Sequence, residues 1–297
     1  MSHIVSGTRG QKIDWDPLTV MLSIAKKYNL AVHAWINPYR ITSDKASFEI
    51  PVDDPIAERS DVAAVGSGLY LLPSSDEAVD LIAKGVRELL TNYPTLAGIH
   101  MDDYFYPTTD ASFDAADYKA YQTAGGKQSL SLWRMEQVTL LCKRLYAETH
   151  KEKNKLFGIS PAGNMESLTE KHFVDVRTLS QETDALDYIC PQIYFGYENA
   201  TQPFATVLVK WETLFANSKV QLWVGLPFYK VGAEDVWAGE GKDEFLTPGS
   251  LSRMTADLLK SENVNGLLYY SLSSMMNPND VARIELANCK GRLRADK

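Results

Sequence analysis

The chain has 297 residues, of which 45% are hydrophobic, and this is enough material for one large core. With 38 acidic residues against 30 basic ones its net charge is -8, which argues against a nucleic-acid partner because phosphates need a basic surface. No apolar run is long enough to span a membrane, and Met1–Gly10 lacks the apolar stretch of a signal peptide. The composition therefore predicts a single domain over residues 1–297, and it is compatible with a neutral ligand such as a sugar.

Short apolar runs alternate with amphipathic helical stretches along the whole chain, beginning with a helix. Such runs are typical of parallel strands that are buried on both faces, and their alternation with helices indicates βα units. The predicted strands are Leu30–Ile36, Leu96–Met101, Leu156–Ser160, Leu186–Pro191, Val220–Leu226 and Val264–Leu272. The predicted helices are Pro17–Tyr28, Asp76–Asn92, Ser131–His150, Thr169–Thr183, Gln202–Ala216 and Gly249–Ser261, with a further helix after Asn277.

The strand count predicts both the fold class and a deficit within it. The sequence contains about six candidate strands, whereas a closed TIM-type (β/α) barrel has eight. Because the chain opens with a helix, the shortage lies at its N-terminus. We therefore predict an α/β fold of TIM-barrel type that is incomplete, with the first two strands missing. Open sheet edges favour association, so we also expect a homodimer that covers the open edge.

Two long segments and the residues at the strand ends indicate where a site would lie. Asn37–Pro73 and Tyr104–Leu130 are too long for tight βα turns, and barrel enzymes keep their substrate-binding machinery in such loops. In the second strand, the period-two alternation places His100 and Asp102 on one face, in the mouth of the barrel. A carboxylate there is costly to bury without a partner or a function. The alternatives are that Asp102 or Asp103 caps a loop and that His100 is a core histidine.

Other chemistries fit the sequence less well. His33 and His100 could share a metal ion with Asp102, but metal-dependent barrel enzymes usually carry a denser histidine cluster, and this chain has only 5 His. We therefore predict no metal and no cofactor. The three cysteines give no disulfide framework, and Cys142 and Cys190 are interpreted as small buried hydrophobic residues.

Two segments carry a resemblance to a known family. Gly98–Pro107 and Ala34–Arg40 resemble motifs of the glycoside-hydrolase-like family 10, and the resemblance covers nearly the whole chain. It implies an enzyme similar to the α-amylase-like barrels. The characterised branch of the family cleaves glycan strands of bacterial peptidoglycan that have lost their stem peptides. The resemblance also implies two further strands ahead of Leu30, and an exported parent protein of the cell envelope or the extracellular space.

The resemblance and the strand ends together define a candidate site. In the related barrels a nucleophilic Asp follows two residues after a basic one, as Asp102 follows His100, and a general-acid Glu ends the next strand, where this chain offers Glu166 on a loop. Asp103 is the other candidate acid. We expect a glycoside hydrolase with a two-carboxylate mechanism, or alternatively a non-catalytic glycan-binding barrel. The expected sugar-binding residues are Trp35, Tyr104, Tyr106, Tyr194 and Tyr229 as aromatic contacts, and Asn37, Arg40, His100, Asn164 and Gln192 as polar ones. Trp35 and Tyr104 could instead be core aromatics.

Overall fold

The computed structural model of the protein describes residues 15–47, 49–52, 54, 56–102 and 105–295. Two predicted site residues, Asp103 and Tyr104, lie outside the described residues, as does the N-terminal stretch 1–14. The chain forms two compact units. The first unit runs up to Phe157 and includes Thr169–Asp175, and the second comprises Gly158–Leu168 and the chain from Val176 onward. The expectation of a single domain stays a prediction.

Local sequence signals start the helices of the first unit. Asp16 accepts hydrogen bonds from the backbone amides of Leu18 at 2.9 Å and Thr19 at 3.1 Å, just before the first helix. Ser75 accepts from the amide of Ala78 at 3.1 Å and caps the second. The helices of this unit are α1 (Pro17–Lys27), α2 (Asp76–Asn92), α3 (Ala115–Thr123) and α4 (Leu130–Thr149). Its strands are β1 (His33–Ile36), β2 (Arg40–Thr42), β3 (Val62–Val65), β4 (Gly68–Leu71) and β5 (Gly98–Asp102).

Strands β1 and β5 form a parallel pair in which Trp35 lies opposite His100. The next strand of this sheet is β6 (Leu156–Ser160). At its first residue, the Leu156 amide donates to the carbonyl of Ala97 at 3.0 Å. On one face of β5, Ile99 and Met101 are completely buried. The other face of the strand is the one that carries its polar side chains.

The segment predicted as the long loop Asn37–Pro73 contains a small antiparallel sheet with the strand order β2-β4-β3. Val65 pairs with Gly68 across a two-residue turn, Gly66-Ser67, and Gly66 has a positive φ of 57° that glycine adopts without steric cost. The loop prediction is therefore wrong for this part. The signal was available, since two short apolar runs separated by Gly-Ser are typical of a hairpin.

The second unit carries four parallel strands in the order β6-β7-β8-β9. The ring of Tyr188 lies over Gly158 on the neighbouring strand, where any Cβ would come within 2.3 Å of it, and it stacks on Trp223 at 4.0 Å. The lack of a side chain at Gly158 is thus what allows a large ring to pack at this position. The strands are β7 (Tyr188–Ile189), β8 (Gln221–Leu226) and β9 (Val264–Tyr269). The helices that begin in this unit are α5 (Met165–His172), α6 (Val176–Leu179), α7 (Phe204–Phe215), α8 (Ser250–Lys260), α9 (Leu272–Met276) and α10 (Asp280–Ala295).

All six predicted parallel strands are found in the described residues. Both β1 and β9 have a single strand neighbour there, β5 and β8 respectively, so the barrel is incomplete, as predicted. The predicted helix Thr169–Thr183 is wrong, because α5 ends at His172 and Phe173 adopts a positive φ of 52° before α6. Among the described helices, none combines the length and the apolar character needed to cross a bilayer.

Candidate active site

The polar face of β5 carries the predicted carboxylate. His100 and Asp102 are two residues apart on the strand, and Trp35 is the register partner of His100 on β1, so the three side chains emerge on one face. Asp102 is buried, with 8% of its surface exposed, whereas 59% of Trp35 is exposed. The first unit thus places an acidic group at a strand end beside an accessible flat aromatic ring.

Burial keeps the His100 side chain neutral near neutral pH. Burial lowers the pKa of His100 from its ordinary value of 6.5 to about 4, the charge of Asp102 opposes this shift, and His33 adds to it. Above about pH 4 the imidazole is neutral and can therefore offer one N–H donor and one acceptor.

The segment that follows Asp102 is fixed by a buried cluster. The hydroxyl of Tyr106 donates to Asp114 at 3.0 Å, and Arg134 donates to the same carboxylate through Nε at 2.9 Å and Nη2 at 2.5 Å. The guanidinium also lies 5.2 Å from the ring of Tyr106 and 5.0 Å from that of Phe173. Tyr106 is completely buried, so it presents no ring face to a ligand. This burial weighs against Tyr106 as a sugar platform, and the role stays a prediction.

Glu166, a predicted general acid, lies in the first turn of helix α5 and not on a loop. Its side chain is 72% exposed, and its carboxylate is paired with Lys210 at 3.2 Å. A general acid must hold its proton at the working pH, which usually takes burial or a negatively charged neighbour. An exposed carboxylate beside an ammonium group has neither, so this environment weighs against Glu166 as the acid.

The polar residues predicted to bind a sugar make hydrogen bonds with backbone groups of the protein. Asn164 accepts from the amide of Ser167 at 3.1 Å at the start of α5, and Gln192 donates to the carbonyl of Ser160 at 3.1 Å. Asn37 accepts from the amide of Arg40 at 3.4 Å, and no partner for its buried Nδ2 atom is found in the described part of the chain. These three side chains therefore hold backbone groups near the strand ends, whatever they bind.

Three tyrosines meet at the ends of three neighbouring strands of the second unit. The rings of Tyr194 and Tyr270 lie nearly parallel, 5.9 Å apart at 20°, and Tyr229 stands almost perpendicular to both at 5.7 Å. Tyr229 and Tyr270 are exposed. We call these residues the tyrosine cluster. The sequence predicted Tyr194 and Tyr229 but not Tyr270, although Tyr270 directly follows β9 and its position at a strand end was a usable signal.

The backbone around the tyrosine cluster is tied together by one lysine. Nζ of Lys230 donates to the carbonyl of Tyr194 at 2.7 Å and to the carboxylate of Asp235 at 2.6 Å. The Tyr229 amide donates to the carbonyl of Tyr270 at 2.9 Å. The segments after β7, β8 and β9 are thus bonded to one another, and the rings are held in place before any ligand arrives.

The described residues contain no group of three His, Cys, Asp or Glu side chains that could hold a metal ion. Cys142 and Cys190 are buried free thiols, as predicted. Burial raises the pKa of both thiols to about 12, so neither is ionised at neutral pH.

Solved structures of other proteins resemble this chain in fold. The glycoside hydrolase domain of PgaB (BpsB) from Bordetella bronchiseptica matches with a TM-score of 0.55 and 12% identity, over 90% of this chain and 78% of that one. A β-galactosidase from Marinomonas ef1 matches with a TM-score of 0.55 and 12% identity, over 90% of this chain and 48% of the other. At such identity the likeness concerns the fold alone, and it confirms the barrel-type class.

The sequence comparisons identify the family. The profile of the family described as Glycosyl hydrolase-like 10 matches residues 2–239, and the chain belongs to this family. It is 30% identical to glycosyl hydrolase YngK of Bacillus subtilis, over 92% of this chain and 56% of the relative. It is 28% identical to glycosyl hydrolase DigH of Escherichia coli K12, over 78% of this chain and 58% of that relative. The chain thus spans little more than half the length of these relatives.

Proposed function

We propose that the chain hydrolyses glycosidic bonds, with Asp102 as the carboxylate that attacks or stabilises the anomeric carbon. The observation that carries the proposal is a buried acidic group at the end of a parallel strand, the position where barrel enzymes place their catalytic residues. The membership in a glycosyl hydrolase-like family supports the reaction class.

Each named residue has a chemical task in this reaction. Asp102 supplies negative charge at the anomeric carbon as positive charge develops there. His100, neutral at working pH, can donate a hydrogen bond to a sugar hydroxyl or to the carboxylate and so orient one against the other. Trp35 offers an exposed ring for the apolar face of a sugar. Asp103 is the other candidate for the acid that protonates the leaving oxygen, since Glu166 is exposed and paired with Lys210.

The proposed substrate is the glycan strand of bacterial peptidoglycan after removal of its stem peptides. This choice follows the characterised branch of the family that the chain resembles. We also propose that the parent protein belongs to the cell envelope or the extracellular space. Purified chain would be incubated with denuded glycan strands and, separately, with α-glucans, and the products read by mass spectrometry. New reducing ends from the denuded strands alone support the proposal, and intact strands contradict it.

A second candidate function is glycan binding without hydrolysis. It is favoured by the environment of Glu166, because a glycosidase needs two working carboxyl groups and this one is exposed and ion-paired. The two candidates differ in one measurement. A binder retains glycan strands in a sedimentation assay and releases no new reducing ends, whereas the enzyme releases them and loses this activity when Asp102 is replaced.

A further inference from the structure

Trp237 is the most exposed aromatic residue in the part of the chain that the structure describes, with 88% of its surface accessible. It lies with Val236 at the centre of a turn in the segment between β8 and α8, closed by a hydrogen bond of 2.9 Å from the Ala238 amide to the Asp235 carbonyl. Asp235 and Ala238 on either side are buried. The chain therefore buries both ends of the turn and leaves the indole outside.

The turn is held firmly in this position. The Asp235 amide donates to the carbonyl of Lys242 at 2.8 Å, and the Ala200 amide donates to that of Ala238 at 3.0 Å. The Asp235 carboxylate accepts from Lys230, which is 16% exposed and also bonded to the backbone at Tyr194. The exposure of the indole is thus built into a fixed turn, and the turn is tied to the tyrosine cluster through one ion pair.

The surroundings of the indole suit a sugar better than a protein. The exposed neighbours on this segment include four charged residues, Glu234, Glu240, Lys242 and Asp243, and the small Ala233 and Gly239. Its exposed large apolar residues besides Trp237 are Val236 and, nine positions further on, Leu246, which is 37% exposed. A stable protein interface needs roughly 800 Å² of surface on each partner with an apolar centre, whereas one flat ring in a polar setting matches one sugar ring. Three acidic residues against one lysine also disfavour an anionic ligand.

We propose that Trp237 is an additional sugar-binding platform that takes a neutral pyranose unit of a glycan chain, apart from the tyrosine cluster. This inference rests on the proposed function, because it assumes that the chain binds glycans. Trp237 contributes binding along the polymer and takes no part in bond cleavage. Its contribution should therefore grow with the length of the glycan.

The test uses the full chain and neutral β-1,4-linked N-acetylglucosamine oligomers of two and six units, with affinity measured by calorimetry in the Asp102→Asn background to prevent turnover. We expect Trp237→Ala to weaken binding of the six-unit oligomer about tenfold and that of the two-unit oligomer less than twofold. Trp237→Phe, which keeps a flat ring, should restore most of the affinity, whereas Trp237→Leu, which is apolar but not flat, should not. Trp15→Ala removes another exposed indole and is the matched control.

Each outcome decides between the proposals. Unchanged affinity of Trp237→Ala for the six-unit oligomer overturns the inference, and so does full affinity of Trp237→Leu, which would indicate a general apolar docking surface. A wild-type chain that binds neither oligomer overturns it as well. If the wild type cleaves no glycan but its affinity still depends on Trp237, hydrolysis fails and the platform stands. If it cleaves glycan and Trp237→Ala binds normally, only the platform fails.

Discussion

Arg134 and Asp114 form an ion pair from which water is excluded, with Nη2 and Oδ1 2.5 Å apart and both side chains completely buried. The carboxylate also accepts from Tyr106, so the pair anchors the segment that follows the candidate catalytic strand. Removing one member of a buried pair leaves the other charge uncompensated, which typically costs about 3–5 kcal/mol. Loss of this pair should therefore produce a clear decrease in the free energy of unfolding.

We predict that Arg134→Met lowers the free energy of unfolding by about 3–5 kcal/mol in urea titrations. The control is Arg283→Met on α10, because Arg283 is 62% exposed and is paired with Asp280, which is 91% exposed. An exposed pair contributes about 1 kcal/mol or less. Equal effects of the two substitutions would show that the buried cluster does not hold the segment.

Asp102→Asn should abolish glycan hydrolysis without unfolding the chain. The substitution keeps the size of a buried side chain but removes its negative charge, so transition-state stabilisation falls by several kcal/mol, on the order of a thousandfold in rate or more. The measurement is the initial rate of release of reducing ends, with circular dichroism to check the fold. Turnover within tenfold of the wild type would exclude Asp102 as the nucleophile.

Glu166→Gln should change the hydrolysis rate by less than about twofold, because its carboxylate is exposed and its pair with Lys210 is of the kind that contributes little. Asp103→Asn, prepared in parallel, should reduce the rate strongly if Asp103 supplies the proton. Rates are compared on the same substrate at several pH values. A large loss for Glu166→Gln with normal activity for Asp103→Asn would assign the acid role to Glu166.

The lowered pKa of His100 predicts how the stability of the fold depends on pH. Its pKa is about 4 in the folded protein and 6.5 ordinarily, so between these values the unfolded chain binds the proton more readily. Stability should therefore fall as the pH drops from 6.5 towards 4, by at most about 1.4 kcal/mol per pH unit from this residue. Urea midpoints at pH 7 and 5 should differ less in His100→Gln than in the wild type. Equal differences in both proteins would contradict the shift.

Strand positions could be predicted from the sequence because short apolar runs between helical stretches leave few alternatives, and α2 was predicted with its observed bounds, Asp76–Asn92. Side-chain environments could not be predicted in the same way. The sequence places Tyr106 beside the candidate carboxylate, but its burial depends on Asp114 and Arg134, 8 and 28 positions further along the chain. The exposure of Glu166 likewise depends on a helix whose start at Met165 is set by the capping Asn164, which was interpreted as a ligand-binding residue.

Helix α1 carries an apolar face that the described residues do not cover. Val20, Met21, Ile24 and Tyr28 are all exposed, and they recur at the spacing of one side of a helix, while Leu22 and Ala25 face the core. Strand β1, which follows this helix, has one strand neighbour in the described part. An uncovered apolar helix face and a strand with one neighbour each favour association, as expected for the predicted homodimer.

We therefore predict that the chain self-associates and that the double substitution Met21→Lys with Ile24→Lys shifts it to a monomer. Two ammonium groups on the helix face cannot be buried against a second copy without a large desolvation cost, whereas in the monomer they remain in water. The measurement is molar mass by light scattering over a tenfold range of concentration. Val209→Lys is the matched control, because Val209 is an exposed apolar residue on α7 of the other unit. A wild-type chain that stays monomeric throughout this range would disprove the homodimer, and a dimer that survives both lysines would place its interface elsewhere.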